Sequence, residues 1–159
     1  MNEHPEIPAG YTSLTPFLCV SDGQAAIDFY TAVFGARLIS SMPAPGGGMA
    51  HAELDFGLGR LQLSDAMPDF GLAAPTGGAL TDHSIVLYCA DVDAVTAHAA
   101  RAGATVREEP STFVTGDRYA SVVDPFGHRW AIMTRVEQVS PEEAERRLAE
   151  WAEGALGQA

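Results

Sequence analysis

Cysteine is scarce in this 159-residue chain, which contains two. Cys19 and Cys89 each lie within an apolar, strand-like segment, so the sequence predicts two buried thiols and no disulfide. Long hydrophobic runs are absent, and no segment approaches the length that crosses a bilayer. The first ten residues, MNEHPEIPAG, lack the basic start and apolar stretch of a signal peptide. We therefore expect a cytoplasmic protein that contacts no membrane.

Basic residues are also few: nine Lys and Arg oppose 21 Asp and Glu, giving a formal net charge of −12. This balance argues against nucleic acid as a partner, because phosphates require clustered basic side chains. It suits a cationic ligand, although general acidity for solubility explains it equally well. With 47% hydrophobic residues, the chain is long enough for one globular domain, residues 1–159, with a substantial core.

The stretch GDRYASVVDPFGHRWAIMT, residues 116–134, predicts a β-hairpin. Strands at 118–123 and 129–134 are rich in β-branched, aromatic and aliphatic residues. The turn between them, Asp124-Pro125-Phe126-Gly127, has proline and glycine at positions that favour a tight turn. We expect His128, next to this turn, to be exposed.

The element order of the first half is repeated in the second half. The first half predicts a strand at 14–20, a helix from a cap at 21 or 22 to 34, and strands at 37–42, 51–56 and 60–64. The second predicts a strand at 84–89, a helix at 91–103, and strands at 105–109, 118–123 and 129–134. Between the halves, residues 66–82 predict a junction or a functional lid.

Matching residues of the two halves lie at a nearly constant separation. Asp22 and Asp91 are 69 residues apart, and Gly59 and Gly127 are 68 apart. Such a repeat indicates an internal duplication. We therefore predict an α+β fold of two tandem β-α-β-β-β modules, at about 12–75 and 80–136, which form a cupped mixed sheet with outer helices. A loose arm, residues 1–11, precedes them.

A C-terminal helix is predicted at 140–156. Ser140 is its N-cap, Pro141 occupies its first turn and Glu143 completes a capping box. We expect its apolar stripe, which includes Trp151, to pack on the body of the protein or on a partner subunit.

The doubled β-α-β-β-β order, with DPFGH in the last hairpin, resembles the vicinal oxygen chelate superfamily of glyoxalases, extradiol dioxygenases and bleomycin-resistance proteins. The segments AIDFYTAVFGA and GDRYASVVDPFGHRW are similar to its PhnB-like branch. The resemblance implies a small-molecule pocket inside a cup between the modules, and a homodimer. It does not fix the reaction, since one fold hosts many functions.

Alternation along the strands predicts which side chains line the cup. Ala52, Leu54, Phe56, Trp130 and Ile132 suit the side covered by a helix. The residues expected inside are Thr15, Phe17, His51, Glu53, Asp55, Leu63, Ser84, Val86, Tyr88, Tyr119, Ser121, Ala131 and Met133. Three roles are open for Arg118: it pairs with Asp117, it holds a substrate anion, or it has a surface or loop-fixing role, which the sequence favours. The predicted ligand-binding residues are Thr15, Phe17, Ser84, Tyr88, Arg118, Tyr119 and Ser121.

Metal-dependent members of the superfamily imply ligands at four positions, which correspond here to Thr15, Leu63, Ser84 and Ala131. None of these residues is a competent ligand. We therefore expect no metal and no other cofactor, with a divalent metal ion at a rearranged site as the alternative. His51 and Glu53 share a strand face and are the candidate catalytic residues, as an acid–base pair or as ligands of one ion. The competing interpretation is an ordinary polar face.

Three function classes remain open at this point. The first is a protein that encloses a small, partly aromatic ligand without transforming it. The second is a glyoxalase-like lyase, isomerase or dioxygenase that uses His51 and Glu53 or a rearranged metal site. The third is an interaction module with a vestigial cup.

Overall fold

The computed structural model describes residues 6–77 and 80–156, and the chain divides after Leu80 into two compact units. Unit 1 contains β1 (Phe17–Val20), α1 (Gly23–Phe34), β2 (Arg37–Pro43), β3 (Met49–Asp55) and β4 (Arg60–Asp65), followed by a 3-10 turn at Pro68–Phe70. Unit 2 contains β5 (Ile85–Tyr88), α2 (Val92–Arg101), β6 (Thr105–Thr112), β7 (Asp117–Val123), β8 (Arg129–Arg135) and α3 (Pro141–Leu156).

Each unit folds as a four-stranded mixed sheet, and the two sheets have the same topology. Their strand orders are β1-β4-β3-β2 and β5-β8-β7-β6. The first strand of each unit runs parallel to the last, and the remaining neighbours are antiparallel. This confirms the predicted α+β fold with two β-α-β-β-β modules and a C-terminal helix.

The first helix of each unit begins at an aspartate. The side chains of Asp22 and Asp91 accept hydrogen bonds at 3.0 Å from the amides of Ala25 and Ala94, and so satisfy donors that the first turn leaves open. Helix α1 ends at Gly35, whose φ of 70° is the left-handed conformation that glycine adopts at little cost.

The last strand of each sheet is tied to the start of the helix. Asp65 accepts hydrogen bonds from the amide of Gly23 at 2.6 Å and of Met49 at 2.8 Å. Thr134, the matching residue of unit 2, accepts one from the amide of Val92 at 2.9 Å. A Cβ at Gly23 would lie 2.3 Å from the Met49 Cβ, so glycine is required for this close approach.

The turn between β7 and β8 is organised by a buried aspartate. Asp124 accepts hydrogen bonds at 2.9 Å from the amides of Phe126 and His128 and from the Trp130 indole. His128 is 3% exposed, so the prediction that it is exposed is wrong. The His128 amide is hydrogen-bonded to Asp124, and the His128 ring lies 5.5 Å from that of His83.

The C-terminal helix begins as predicted, with the Ser140 hydroxyl accepting from the Glu143 amide at 3.3 Å. It is held to unit 2 by polar and aromatic contacts. Arg147 binds the Glu137 carboxylate at 2.8 and 2.9 Å, and the Trp151 ring lies edge-on to Phe113 at 5.3 Å. Trp151 remains 52% exposed.

Other boundaries differ modestly from the expectation. Strand β1 begins at Phe17, three residues later than predicted, and β6 extends to Thr112. The connecting segment contains a bridge between Met67 and Leu72. No disulfide joins Cys19, which is buried, to Cys89, which is half-buried, and burial raises the pKa of the Cys19 thiol. Within the described residues, no helix combines the length and apolar character needed to cross a membrane.

Candidate functional site

The two faces of each sheet differ in character. In unit 1, Ala52, Leu54 and Leu63 are fully buried on the face that α1 covers. The opposite face of this sheet carries polar side chains. In each unit, we call the sheet face that the first helix does not cover the polar face. Because Ala52 pairs with Leu63, and Glu53 with Gln62, Gln62 lies on the polar face with Glu53.

The prediction that Leu63 faces the cup is therefore wrong. The connection between β7 and β8 is one residue longer than that between β3 and β4. The separation between matching residues thus changes from 68 to 69 within the hairpin. Gln62, and not Leu63, corresponds to Ala131.

In unit 1 a cluster of polar side chains surrounds Glu53. His51 Nε2 lies 3.6 Å from Glu53 Oε1, and Arg60 Nη1 lies 3.4 Å from Oε2. Phe17 joins the cluster, with its ring centroid 5.9 Å from that of His51. The structure thus brings three residues predicted from sequence together with Arg60, which was not predicted.

Tyr11 also belongs to this cluster. The Arg60 guanidinium lies over the Tyr11 ring, 4.5 Å from its centroid, and Gln62 Nε2 donates to the Tyr11 hydroxyl at 3.2 Å. The expectation of a loose arm over residues 1–11 is therefore wrong at Tyr11; residues 1–5 of that arm lie outside the described residues.

The Glu53 carboxyl is stabilised in its ionised form. A hydrogen bond from Tyr11 is the largest cause that holds its pKa below the ordinary value, with His51 and Arg60 adding to the effect. Glu53 therefore remains a carboxylate well below neutral pH.

In unit 2 the corresponding cluster is built around Arg129 and Glu108. Arg129 donates to Ser84 Oγ at 2.9 Å, and at 2.7 Å to both Glu108 and the Tyr119 hydroxyl. The hydroxyls of Ser121 and Tyr119 also donate to Glu108. These bonds, led by that of Ser121, lower the pKa of Glu108, while burial raises that of Tyr119.

A second group occupies the other end of the same face. Arg135 binds the Asp117 carboxylate at 2.8 and 3.1 Å, and a hydrogen bond with Tyr88 is the largest cause that raises the pKa of Arg135. Tyr88 is 56% exposed. The predicted ligand-binding residue Tyr88 is thus separate from the group that contains Ser84, Tyr119 and Ser121.

Arg118 and Thr15 lie apart from these clusters. Arg118 alternates with Tyr119 along β7, and it binds Asp93 on α2 at 2.6 and 2.7 Å. It is therefore on the helix side of the sheet, and it does not pair with Asp117. Thr15 precedes β1, and its hydroxyl donates to the Thr12 carbonyl at 3.3 Å.

The sequence profile of the Glyoxalase/Bleomycin resistance protein/Dioxygenase superfamily matches residues 11–132. The chain belongs to this superfamily. An uncharacterised protein from Mycobacterium bovis is 35% identical to it over 145 residues, which cover 89% of this chain and 95% of that protein.

Solved structures of other proteins share the fold. TioX from Micromonospora sp. ML1 has a TM-score of 0.61 at 27% identity, covering 78% of this chain and 98% of its own. A PhnB protein from Bacillus cereus also has a TM-score of 0.61, at 16% identity, covering 77% of this chain and 99% of its own. The match of the sequence profile, together with this shared fold, confirms the resemblance inferred from the repeat and the DPFGH hairpin.

The metal of the vicinal oxygen chelate superfamily does not fit the residues present. Gln62 replaces Leu63 among the four positions at which the superfamily implies metal ligands. It is the only residue of the four whose side-chain oxygen is a better metal ligand than a hydroxyl. The neighbouring Arg60 places its guanidinium 3.4 Å from the Glu53 carboxylate. This positive charge disfavours a metal cation at the same place. Among the described residues, no group of three or more His, Cys, Asp or Glu side chains is arranged to hold a metal.

The two modules each pair a serine with a glutamate across matching strands, but the two residues are on opposite strands in the two modules. In unit 1, Ser40 of β2 pairs with Glu53 of β3; in unit 2, Glu108 of β6 pairs with Ser121 of β7. Arg60 and Arg129 occupy matching positions at the start of the last strand. The shared 69-residue separation of the two arginines was the signal that sequence reasoning overlooked.

Proposed function

We propose that this superfamily member binds a small, partly aromatic molecule without transforming it, and that the polar faces supply the contacts. One observation carries the proposal: each polar face places an exposed aromatic ring among hydrogen-bonded charged groups. Phe17 is 40% exposed in unit 1 and Tyr88 is 56% exposed in unit 2. Exposed aromatic surface rimmed by polar groups is typical of ligand-binding surfaces.

The state of the carboxylates supports binding over catalysis. A general base works best when its pKa lies near the operating pH. Glu53 and Glu108 both have lowered pKa values, and each is engaged by several donors. These carboxylates are suited to holding a fixed arrangement of donors and acceptors, and are poor proton acceptors.

The experiment is a thermal-shift screen with small aromatic compounds that are cationic, neutral or anionic. We expect compounds that raise the melting temperature of the wild type to lose this effect in Phe17→Ala or Tyr88→Ala. Leu58→Ala, which alters a fully exposed turn residue, should keep it. Mass spectrometry of the incubated compound should return it unchanged. A screen without any stabilising compound would contradict the proposal and favour an interaction module.

A glyoxalase-like lyase, isomerase or dioxygenase is the second candidate. It is favoured by the 3.6 Å approach of His51 to Glu53, with side chains 31% and 22% exposed, so that a substrate can reach both. In that case, a compound from the screen should be converted to product by the wild type and not by His51→Ala. If a divalent ion at a rearranged site is involved, zinc or manganese should raise the melting temperature of the wild type but not of His51→Ala.

A further inference from the structure

Tyr11 is held on unit 1 by contacts of the kind that a bound phenol would make. Its ring is stacked on the guanidinium of Arg60, and its hydroxyl accepts from Gln62 Nε2 at 3.2 Å. The same hydroxyl is the main cause that lowers the pKa of the neighbouring Glu53 carboxyl. Three side chains from two strands therefore recognise the ring, the lone pairs and the proton of one phenol group.

The segment that carries Tyr11 precedes the first strand and belongs to neither the sheet nor a helix. Apart from the contacts of the Tyr11 side chain, its hydrogen bonds include local ones: the Tyr11 amide donates to the Pro8 carbonyl at 3.1 Å, and Thr12 Oγ1 donates to the Leu14 carbonyl at 2.6 Å. Moving this segment away from Arg60 would leave the sheet pairing of unit 1 intact.

The contact with Tyr11 leaves Arg60 incompletely satisfied. Arg60 Nε is buried and has no hydrogen-bond partner among the described residues. A buried donor without an acceptor is unfavourable. Its counterpart Arg129 makes bonds of 2.7 to 2.9 Å to Ser84, Glu108 and Tyr119. Tyr11 thus gives Arg60 a ring contact but no acceptor for Nε, so a phenol that displaces Tyr11 can replace its whole contact with Arg60.

We propose that the polar face of unit 1 is a binding site for a phenol group, and that Tyr11 fills this site in the ligand-free protein. A bound phenol would donate to Glu53, accept from Gln62 and stack on Arg60 after displacing Tyr11. The inference rests on the proposed function, since the phenol is the aromatic part of the ligand proposed above. It adds a chemical class and a competitor within the chain.

The test uses the full chain with Tyr11→Ala and p-cresol as the probe, measured by isothermal titration or ligand-observed NMR. If Tyr11 occupies the site in about nine of ten wild-type molecules, its removal should tighten p-cresol binding roughly tenfold. Toluene, which lacks the hydroxyl, should bind Tyr11→Ala about tenfold more weakly than p-cresol, and Glu53→Gln should weaken p-cresol binding in the Tyr11→Ala background. Phe70→Ala, which removes an exposed aromatic ring from the same unit, should bind p-cresol as the wild type does.

Equal p-cresol affinity of the wild type and Tyr11→Ala would overturn the proposal, as would equal binding of toluene and p-cresol by Tyr11→Ala. If Tyr11→Ala does not fold, NMR of the wild type decides. Saturating p-cresol should abolish the NMR cross-relaxation contacts between the Tyr11 ring and the Arg60 side chain, and unchanged contacts would overturn the proposal. A screen that yields a ligand dependent on Tyr88, without phenol binding by Tyr11→Ala, would keep the proposed function and refute this inference alone.

Discussion

Arg60 and Arg129 occupy matching positions in the two units, but their surroundings differ. Both residues begin the last strand of their sheet and lie on its polar face. Arg129 forms short bonds with its neighbours, whereas Arg60 makes a 3.4 Å contact to Glu53 and stacks on Tyr11. The difference follows from the strand that carries the glutamate. Glu108 on β6 reaches Arg129 Nη2 at 2.7 Å, while Glu53 on β3 reaches Arg60 at longer range.

Transferring the unit 2 arrangement to unit 1 tests this account. Glu53→Ser should lower the free energy of unfolding by about 0.5–1 kcal/mol, a modest effect because the pair is partly exposed. Adding Ser40→Glu should recover most of the loss, because residue 40 matches Glu108. Urea denaturation of both single variants and the double variant measures the coupling. Ser41→Glu, whose side chain alternates to the other face, should recover none of it; equal recovery by the two glutamates would contradict the account.

Asp124 is the residue on which the β7–β8 turn depends most. Asp124→Ala should lower the free energy of unfolding by about 3 kcal/mol or more, because two backbone amides and the Trp130 indole lose a buried acceptor. Asp124→Asn should cost about 1–2 kcal/mol, since its oxygen still serves the turn while its amide opposes the indole donor. Chemical denaturation followed by tryptophan fluorescence measures both. A loss below about 1 kcal/mol for Asp124→Ala would show that the turn is held by other contacts.

At the residue scale, the sequence predicted the face of a side chain correctly where the two-residue period of a strand alone determines it. Alternation placed His51, Glu53, Tyr119 and Ser121 on the polar faces, as the register shows. It failed at Leu63, because a single extra residue in the β7–β8 connection reverses the face of every later side chain. Tyr11 could not be predicted at all, since its position depends on a tertiary contact and on no periodic pattern.

Helix α3 is the element most dependent on charge. Arg147 binds both Glu143 and Glu137, and Arg146 binds Glu143 and Glu150. Hydrogen bonds from Arg146, then Arg147, lower the pKa of Glu143 from 4.5 to about 2. The capping box and Pro141 predicted this helix correctly, but the sequence could not show that an ion pair to Glu137 fixes it to unit 2.

The pH dependence of α3 follows from the sign of this shift. A carboxyl with a lowered pKa in the folded state contributes stability that is complete above 4.5 and is lost as the pH falls toward about 2. The backbone amides of α3, followed by NMR, should therefore lose protection between these values in the wild type. Glu143→Gln should be less protected at neutral pH and change less on acidification. An identical acid profile for the two proteins would contradict a role for Glu143.

At the scale of the whole molecule, the duplication made the fold predictable. Two copies of one element order constrain each other, so an error in one copy is exposed by the other. The boundaries differed by a few residues, as for β1 and β6, where local propensity does not fix the length of an edge strand.

We propose that the protein forms a homodimer. Strand β2 lies at the edge of its sheet and carries Leu38 and Met42, 41% and 56% exposed. Open edges with apolar side chains favour pairing with another surface. Light scattering at micromolar concentration should give twice the mass of the chain, and Met42→Arg should shift the mass toward that of one chain. A single-chain mass for the wild type would refute the proposal.

The exchange of glutamate and serine between the modules restricts how the two sequences diverged after duplication. Converting one arrangement into the other by single substitutions passes through a module with two glutamates beside one arginine, or with none. Two carboxylates beside one guanidinium repel each other, whereas an arginine without a carboxylate on a partly wet face costs little. The less costly intermediate is therefore a module with serine on both strands and an arginine without a carboxylate partner. A module in that arrangement would present its arginine to an anionic group from outside the chain.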